Sequence, residues 1–323
     1  AAPLYRDAPE ARAAKAAGDA VYQAFMREVL PRAPAKARAL ATGAEVRLGT
    51  WVESLDQSAS HVDATLSDGT TSRYDLVIGA DGSGSSIRRM LFGDAASPRF
   101  TGQGCWRFTT QRHPEVDRAI FQHGAHSLAG LIPMTAQKMY LLLLTPEPLN
   151  PWFAEPDLRP ALMARLEEYG GIVGSLSSAV PQGRDIVYRP LEPLLLPPPW
   201  SKGRVVLIGD AAHSIHPLAG QGVNLGFLDA AVLAEVLLHA LERGEQPGDV
   251  RVLSRYERRR MPHNLAMMAA MEGFERLFQA DPLPLRWLRN SGLNWVDSLP
   301  EAKALFMRQA LGLVGDLPEL AKA

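Results

Sequence analysis

Apolar and polar positions alternate along this chain in three distinct ways. Val205 to Ile208 is a continuous apolar run of strand length that stops at Gly209-Asp210, and Asp75 to Gly79 is a second such run leading into Ala80-Asp81-Gly82-Ser83. Continuous runs of this length predict strands buried on both faces. Glu45 to Leu48 and Val62 to Leu66 read as strands, the second closed by the turn signal Ser67-Asp68-Gly69. From Gly104 to Thr145 the runs GCWRFTT, AIFQHG, SLAGLIPM and KMYLLLL are separated by turn residues, which predicts an antiparallel sheet. Ile186 to Leu191 reads as a strand returning towards Pro197-Pro198-Pro199. Helical spacing covers residues 7–30, ended by Pro31, and then a segment starting near Ser85 or Ser86 with Arg88 and Arg89 on its outer face. It recurs over Leu158 to Tyr169, Val223 to Leu241, Leu253 to Phe278 and Glu301 to Leu313.

The order of these segments predicts an α/β fold in which a Rossmann-like domain is split in sequence. Residues 1–100 form its first part, 101–195 an inserted antiparallel sheet domain, 196–245 its second part, and 246–323 a C-terminal helical region.

Composition removes several function classes. Lys plus Arg is 34 and Asp plus Glu is 35 in 323 residues, so a net charge of −1 offers nothing to nucleic acid. Arg258-Arg259-Arg260, the one tight basic cluster, reads as a solvated helix face. A single cysteine, Cys105, excludes an internal disulfide and a Cys-rich metal site, and suits a reducing compartment with a cytoplasmic location. Uninterrupted apolar runs fall short of the ~20 residues that span a bilayer. The opening AAPLYRDAPEARAAKAAG is charged, carries no signal-like apolar segment and does not begin with Met, so a processed, trimmed or incomplete chain is expected.

The chemistry concentrates in Arg204 to Ala230, RVVLIGDAAHSIHPLAGQGVNLGFLDA. Gly209-Asp210 places a carboxylate at the carboxyl end of a strand, where open α/β sheets bind ligands. The loop Pro217 to Gly222 then delivers a helix whose first turn has no charged residue, leaving backbone N–H groups for acceptor atoms of a polyol. The plainer alternatives are a strand–loop–helix connection with a capping Asp210, and a turn-forming Asp81-Gly82. His213 and His216 have i, i+3 spacing but no third ligand of suitable type, so no metal is expected and His213 reads as a structural histidine. Trp106 and Arg107 fall on opposite faces of one strand, with Trp106 assigned to the core.

Taken together, DLVIGADGSGSSIRR and GRVVLIGDAAHSIHPLAGQGVNLGFLDA resemble the Asp-Gly and Gly-Asp motifs of the group A FAD-dependent aromatic monooxygenases, the second over its whole length. The tail from MEGFERLF to GDLPEL is similar to the ubiquinone-biosynthesis hydroxylases of that family, and YRPLEPLLLPPPW to its salicylate-hydroxylase-like branch. The resemblance runs from about Val21 to the end of the chain. It implies that Asp210, following Gly209, accepts hydrogen bonds from the ribityl hydroxyls of FAD, and that Asp81 and Gly82 lie on the pyrophosphate and ribityl side. Gly220, Gln221, Gly222, Val223 and Asn224 would present N–H groups to the flavin N1–C2=O edge. Pro217 would shape the cavity in which a flavin C4a-hydroperoxide forms, and His216 would border the substrate. NAD(P)H and molecular oxygen are the implied co-substrates, and the substrate is an electron-rich aromatic ring. A polyprenyl phenol of ubiquinone synthesis is favoured, with room for peripheral membrane contact, and a small phenolic acid is the alternative.

One departure is large. The family opens with a βαβ unit carrying GxGxxG and a ribose-binding acid, and this sequence has no counterpart. Gly82-Ser83-Gly84-Ser85-Ser86-Ile87 has Ile in place of the third glycine and no acid about 20 residues on. Where ubiquinone-type members carry an Arg on the first helix, Gln23 stands here, followed by Met26 and Leu30. Gln23 can still donate to the flavin chain. The expectation is a chain that lacks the adenosine-binding half of its site. A homologue that has lost FAD and catalysis, and an FAD reductase without oxygenation, are the competing readings.

Overall fold

The structure, a computed structural model, describes residues 40–147, 149–217 and 220–279, together with 291, 292, 299 and 301. The expected helices at 7–30 and 301–313, and Gln23, lie outside the described residues.

The first described stretch forms β1 (Val52–Gln57), β2 (Val62–Leu66), β3 (Thr71–Tyr74), β4 (Val77–Gly79) and α1 (Ser86–Phe92). A second forms β5 (Gln103–Gln111), β6 (Ile120–His123), β7 (Leu128–Pro133), β8 (Lys138–Pro146), α2 (Glu155–Leu166), α3 (Gly171–Ser175) and β9 (Val187–Pro190). The third forms β10 (Leu194–Leu195), β11 (Ser201–Lys202), β12 (Val205–Leu207), β13 (His213–Ser214), α4 (Gly222–Glu242) and α5 (Val250–Gln279). Two compact units result, one taking in Gly102–Leu191 and the other Val52–Thr101 with the described residues from Glu192 onward.

The first unit is a five-stranded antiparallel sheet in the order β6-β7-β8-β5-β9. Strand periodicity sends Trp106, Phe108, Leu131, Met139, Leu141 and Leu143 to one face, where Leu162 and Leu166 of α2 cover them. Trp106 is fully buried, tilted against Phe153 and Tyr188. Its indole N–H donates to Thr145 Oγ1 at 3.0 Å, and Thr145 donates to Glu147 Oε1 at 2.7 Å. Arg165 binds both oxygens of that carboxylate, at 2.6 and 2.7 Å, with its guanidinium over the Trp106 ring.

The second unit contains the short sheet β11-β12-β4, in which β12 and β4 run parallel with Val205 opposite Val77 and Leu207 opposite Gly79. Val205, Val206 and Leu207 have no solvent exposure, because helix and loop residues cover both faces of a three-residue strand. Val232, Leu233 and Val236 of α4 and Val252, Leu253 and Tyr256 of α5 complete this core. α4 is long and apolar enough to cross a membrane by length and composition, with a mean hydropathy of 1.5 over its most apolar window. Its buried stripe, Leu225, Asp229, Val232, Val236 and Ala240, nevertheless contains an ionised pair and follows the packing of a core helix.

Three expectations are corrected here. Glu45 to Leu48 is not a strand; the pairing segment is β1, Val52–Gln57, which joins β2 and the polar edge strand β3 in a meander. Arg88 is not on the outer face of α1 but 2% exposed, because its guanidinium donates to Ser83 O at 2.6 Å and Ala211 O at 2.9 Å. Arg260 leaves the solvated face predicted for 258–260 and turns inward to Asp229, whereas Arg258 stays exposed.

Candidate functional site

Parallel pairing of β4 with β12 brings the two acid-bearing loops side by side. Ile208 N–H donates to Gly79 O at 3.0 Å, so the Asp81 and Asp210 loops leave adjacent strands at the same level of the sheet. Arg88 joins them by donating to a carbonyl in each. Its Nε has no hydrogen-bond partner among the described residues, and burial lowers the pKa of the guanidinium against the pull of Asp81.

Asp81 is committed to the amino end of α1. Its carboxylate accepts from Ser85 Oγ at 2.5 Å, Ser86 Oγ at 3.1 Å and Ile87 N–H at 3.1 Å, while Ser85 Oγ caps Arg88 N–H. Gly82 takes the left-handed conformation at φ 78°, which turns the chain out of the strand.

Asp210 is placed differently. It lies on a single 3-10 turn, Gly209–Ala211, is exposed, and among the described residues accepts no hydrogen bond. Surrounding protein nevertheless raises its pKa, with His213 pulling the other way. Its Oδ1 lies 3.9 Å from the position a Cβ on Gly222 would occupy. The carboxylate therefore stands at the amino end of α4.

That end is open. Gln221, the residue before the helix, supplies no side-chain cap, and the first turn holds no acid. Gly220 has φ 64° and no heavy atom near its missing Cβ, Val223 and Asn224 are exposed, and Asn224 Nδ2 donates to Gln221 Oε1 at 2.9 Å. Gly209, at φ 57°, faces Gly226: a Cβ added to it would lie 3.5 Å from the Gly226 Cα, an ordinary packing distance. This glycine-to-glycine contact seats the strand-tip turn directly on α4.

Behind the turn lies a buried polar cluster that sequence reasoning missed. Asp229 Oδ2 accepts from Gly209 N–H at 2.9 Å and lies 2.5 Å from His213 Nε2; Oδ1 accepts from Arg260 Nε at 2.7 Å. A ring nitrogen this close to a carboxylate carries a proton, so Asn264 Nδ2, 2.7 Å from that nitrogen and 3.3 Å from Asp229 Oδ1, donates to the carboxylate. Asn264 Oδ1 accepts from Arg260 at 2.8 Å. Burial works to raise the Asp229 pKa, but the hydrogen bonds and charges of His213 and Arg260 outweigh it and hold it below the usual range. The signal for this cluster was a polar residue on an apolar helical stripe: Asp229 on α4, and Arg260 and Asn264 in step with Leu253, Tyr256 and Met267 on α5.

His216 is buried at 6% exposure, which pushes its pKa down to about 4. An unfolded histidine takes up a proton below its ordinary 6.5, whereas the folded His216 does so only near 4. Its contribution is whole above pH 6.5 and declines as pH falls from 6.5 to about 4, by about 3 kcal/mol in all. Chemical denaturation of the protein and of His216→Gln across this interval should show the decline in the former and its reduction in the latter. Pro217 accepts from Gly220 N–H at 2.9 Å and thereby closes the loop ahead of α4. On the inserted sheet, Arg107, Phe108 and Tyr140 line an open depression of about 300 Å³ with Met134, Asp185 and Val187.

Residues 196–271 match the model of an FAD binding domain. The chain is 34% identical over 268 residues to the ubiquinone hydroxylase UbiL of Rhodospirillum rubrum, an alignment covering 80% of this chain and 59% of that protein. It is 31% identical to the 3-demethoxyubiquinol 3-hydroxylase of Escherichia coli over 77% of this chain and 62% of that one. It thus spans about three-fifths of the length of these relatives. Klebsiella pneumoniae HpxO complexed with FAD and uric acid shares its fold, with a TM-score of 0.70, 22% identity, and coverage of 86% of this chain and 70% of that one.

Proposed function

From its kinship with the group A FAD-dependent aromatic monooxygenases, we propose that this chain forms the flavin and ribityl side of the FAD site in an NAD(P)H-consuming aromatic hydroxylase. The observation that carries the reading is Asp210, an acceptor that takes no hydrogen bond among the described residues, standing beside the amino end of α4, which has no side-chain cap. Ribityl hydroxyls are donors suited to that carboxylate, and the N–H groups of Gly222, Val223 and Asn224 suit the acceptor edge of an isoalloxazine. Side chains at Gly220 and Gly222 would fill the approach, and their absence fits a flat ring lying against backbone.

The bound flavin supplies the redox and oxygen-activating chemistry. In the net reaction NAD(P)H provides two electrons, one oxygen atom of O₂ enters a ring C–H bond, and the other leaves as water. The chain's own residues orient the cofactor and place positive helix-end charge where negative charge gathers on reduction. Buried His216, neutral near pH 7, adds no charge to the pocket wall.

A polyprenyl phenol of ubiquinone synthesis is the proposed substrate, supported by the two hydroxylase relatives. A small phenolic acid is the second reading, favoured by Arg107 beside the 300 Å³ depression, where a guanidinium can hold a carboxylate. Mass spectrometry of product formed under ¹⁸O₂ by the complete gene product, offered both substrate classes, is the test. One labelled oxygen in the hydroxylated ring is expected. NAD(P)H oxidation with unlabelled product would assign the protein to the flavin reductases instead.

A further inference from the structure

The four-donor cage around Asp229 has no assigned role, and its geometry joins the two halves of the candidate site. Asp229 lies on α4, the helix whose amino end faces the ligand, and its Oδ2 takes the N–H of Gly209, the residue before Asp210. His213, on the strand leaving the same turn, approaches that oxygen at 2.5 Å. Arg260 and Asn264, both from α5, supply the other oxygen. We propose that Asp229, supported by His213, Arg260 and Asn264, is a positioning residue: it fixes the Gly209–Asp210 turn relative to the amino end of α4 and so aims the Asp210 carboxylate. This inference rests on the reading of Asp210 as a cofactor ligand.

A purely structural reason for the cluster is weaker. Ionised groups buried together are commonly no more stabilising than apolar side chains of similar volume. Here all the donors converge on one carboxylate, and one of them is the backbone of the turn itself. The left-handed Gly209 has no side chain to anchor it, and the heavy atom nearest the place of its missing Cβ is the Gly226 Cα, which offers no polar group. Removing the Asp229 oxygen leaves the part-buried Gly209 N–H without its acceptor and only the Gly209–Gly226 packing to hold the turn against α4.

Asp229→Asn puts an amide donor against Gly209 N–H or Arg260 and should weaken FAD binding about tenfold, as expected for one lost hydrogen bond to a charged acceptor. The discriminating readout is a double-mutant cycle. If Asp229 acts through Asp210, Asp229→Asn in the Asp210→Ala background changes FAD affinity by less than about twofold. Equal weakening in both backgrounds would overturn the proposal. Amide hydrogen exchange without FAD provides an arm independent of the cofactor. Asp229→Asn should speed exchange at Gly209 while leaving β5 and β8 unchanged; unchanged protection at Gly209 would overturn the proposal even if the protein takes no flavin. Should Asp229→Asn not fold, Asn264→Ala, which does not touch the turn, is read in the same way, with a smaller loss of affinity that vanishes in the Asp210→Ala background.

Discussion

Asp210→Ala should lower FAD affinity roughly a hundredfold, the loss of about two hydrogen bonds to an ionised acceptor. The fold should persist, because the Asp210 carboxylate accepts no hydrogen bond among the described residues and stands exposed. Burial raises its pKa further than His213 lowers it, and among the described residues it is in no ion pair that its removal would break. Asp210→Asn keeps an acceptor oxygen but loses the charge, and should fall between wild type and alanine. Equilibrium titration with FAD, followed by flavin fluorescence, measures all three. Thermal unfolding without FAD separates cofactor loss from fold loss, and Asp210→Ala should match the wild type there.

The largest stability effect is expected in the inserted sheet unit. Trp106→Ala should destabilise the sheet unit by about 3–5 kcal/mol, the cost of emptying a fully buried indole site. The ring packs on Phe153 and Tyr188 with centroids 4.9 and 4.5 Å away, and Arg165 lies over it at 4.8 Å. Its loss also removes a donor from Thr145 and loosens the buried Glu147 beneath Arg165. Trp106→Phe keeps an aromatic ring in the site but loses the N–H and part of the ring volume, so it should cost less, about 1–3 kcal/mol. Urea unfolding of the two variants, compared at equal m-values, checks the order. A Trp106→Ala protein as stable as Trp106→Phe would mean that the aromatic cluster does not hold this unit together.

How far the sequence foretold these features depended on how local their causes are. Val205 to Leu207 and the strands from Gln103 to Pro146 were legible because burial on one or both faces writes itself into period and apolar content. β3, Thr-Ser-Arg-Tyr, was not, since an edge strand with little buried surface needs no apolar pattern and is specified by its pairing with β2. Glu45 to Leu48 shows the converse: strand-like residues that find no partner. Arg88 reads as an outer-face arginine until folding brings Ala211, 123 residues away, to its guanidinium. The same holds for Arg260, whose partner Asp229 lies 31 residues back on another helix. Of the candidate site, the strand-tip acid and the glycine loop were visible as a motif. The contrast between Asp81, engaged by α1, and Asp210, which accepts no hydrogen bond among the described residues, is set by tertiary placement and leaves no trace in the motif.

Asp210 and the amino end of α4 are proposed to hold a flavin. Titration of the purified complete gene product with FAD, recorded by its visible spectrum, tests it most directly. The wild type should show saturable perturbation of the flavin bands, and Asp210→Ala a titration shifted to roughly hundredfold higher FAD. A wild-type protein that leaves the flavin spectrum unchanged at saturating FAD, or an Asp210→Ala protein that titrates identically to the wild type, would contradict it.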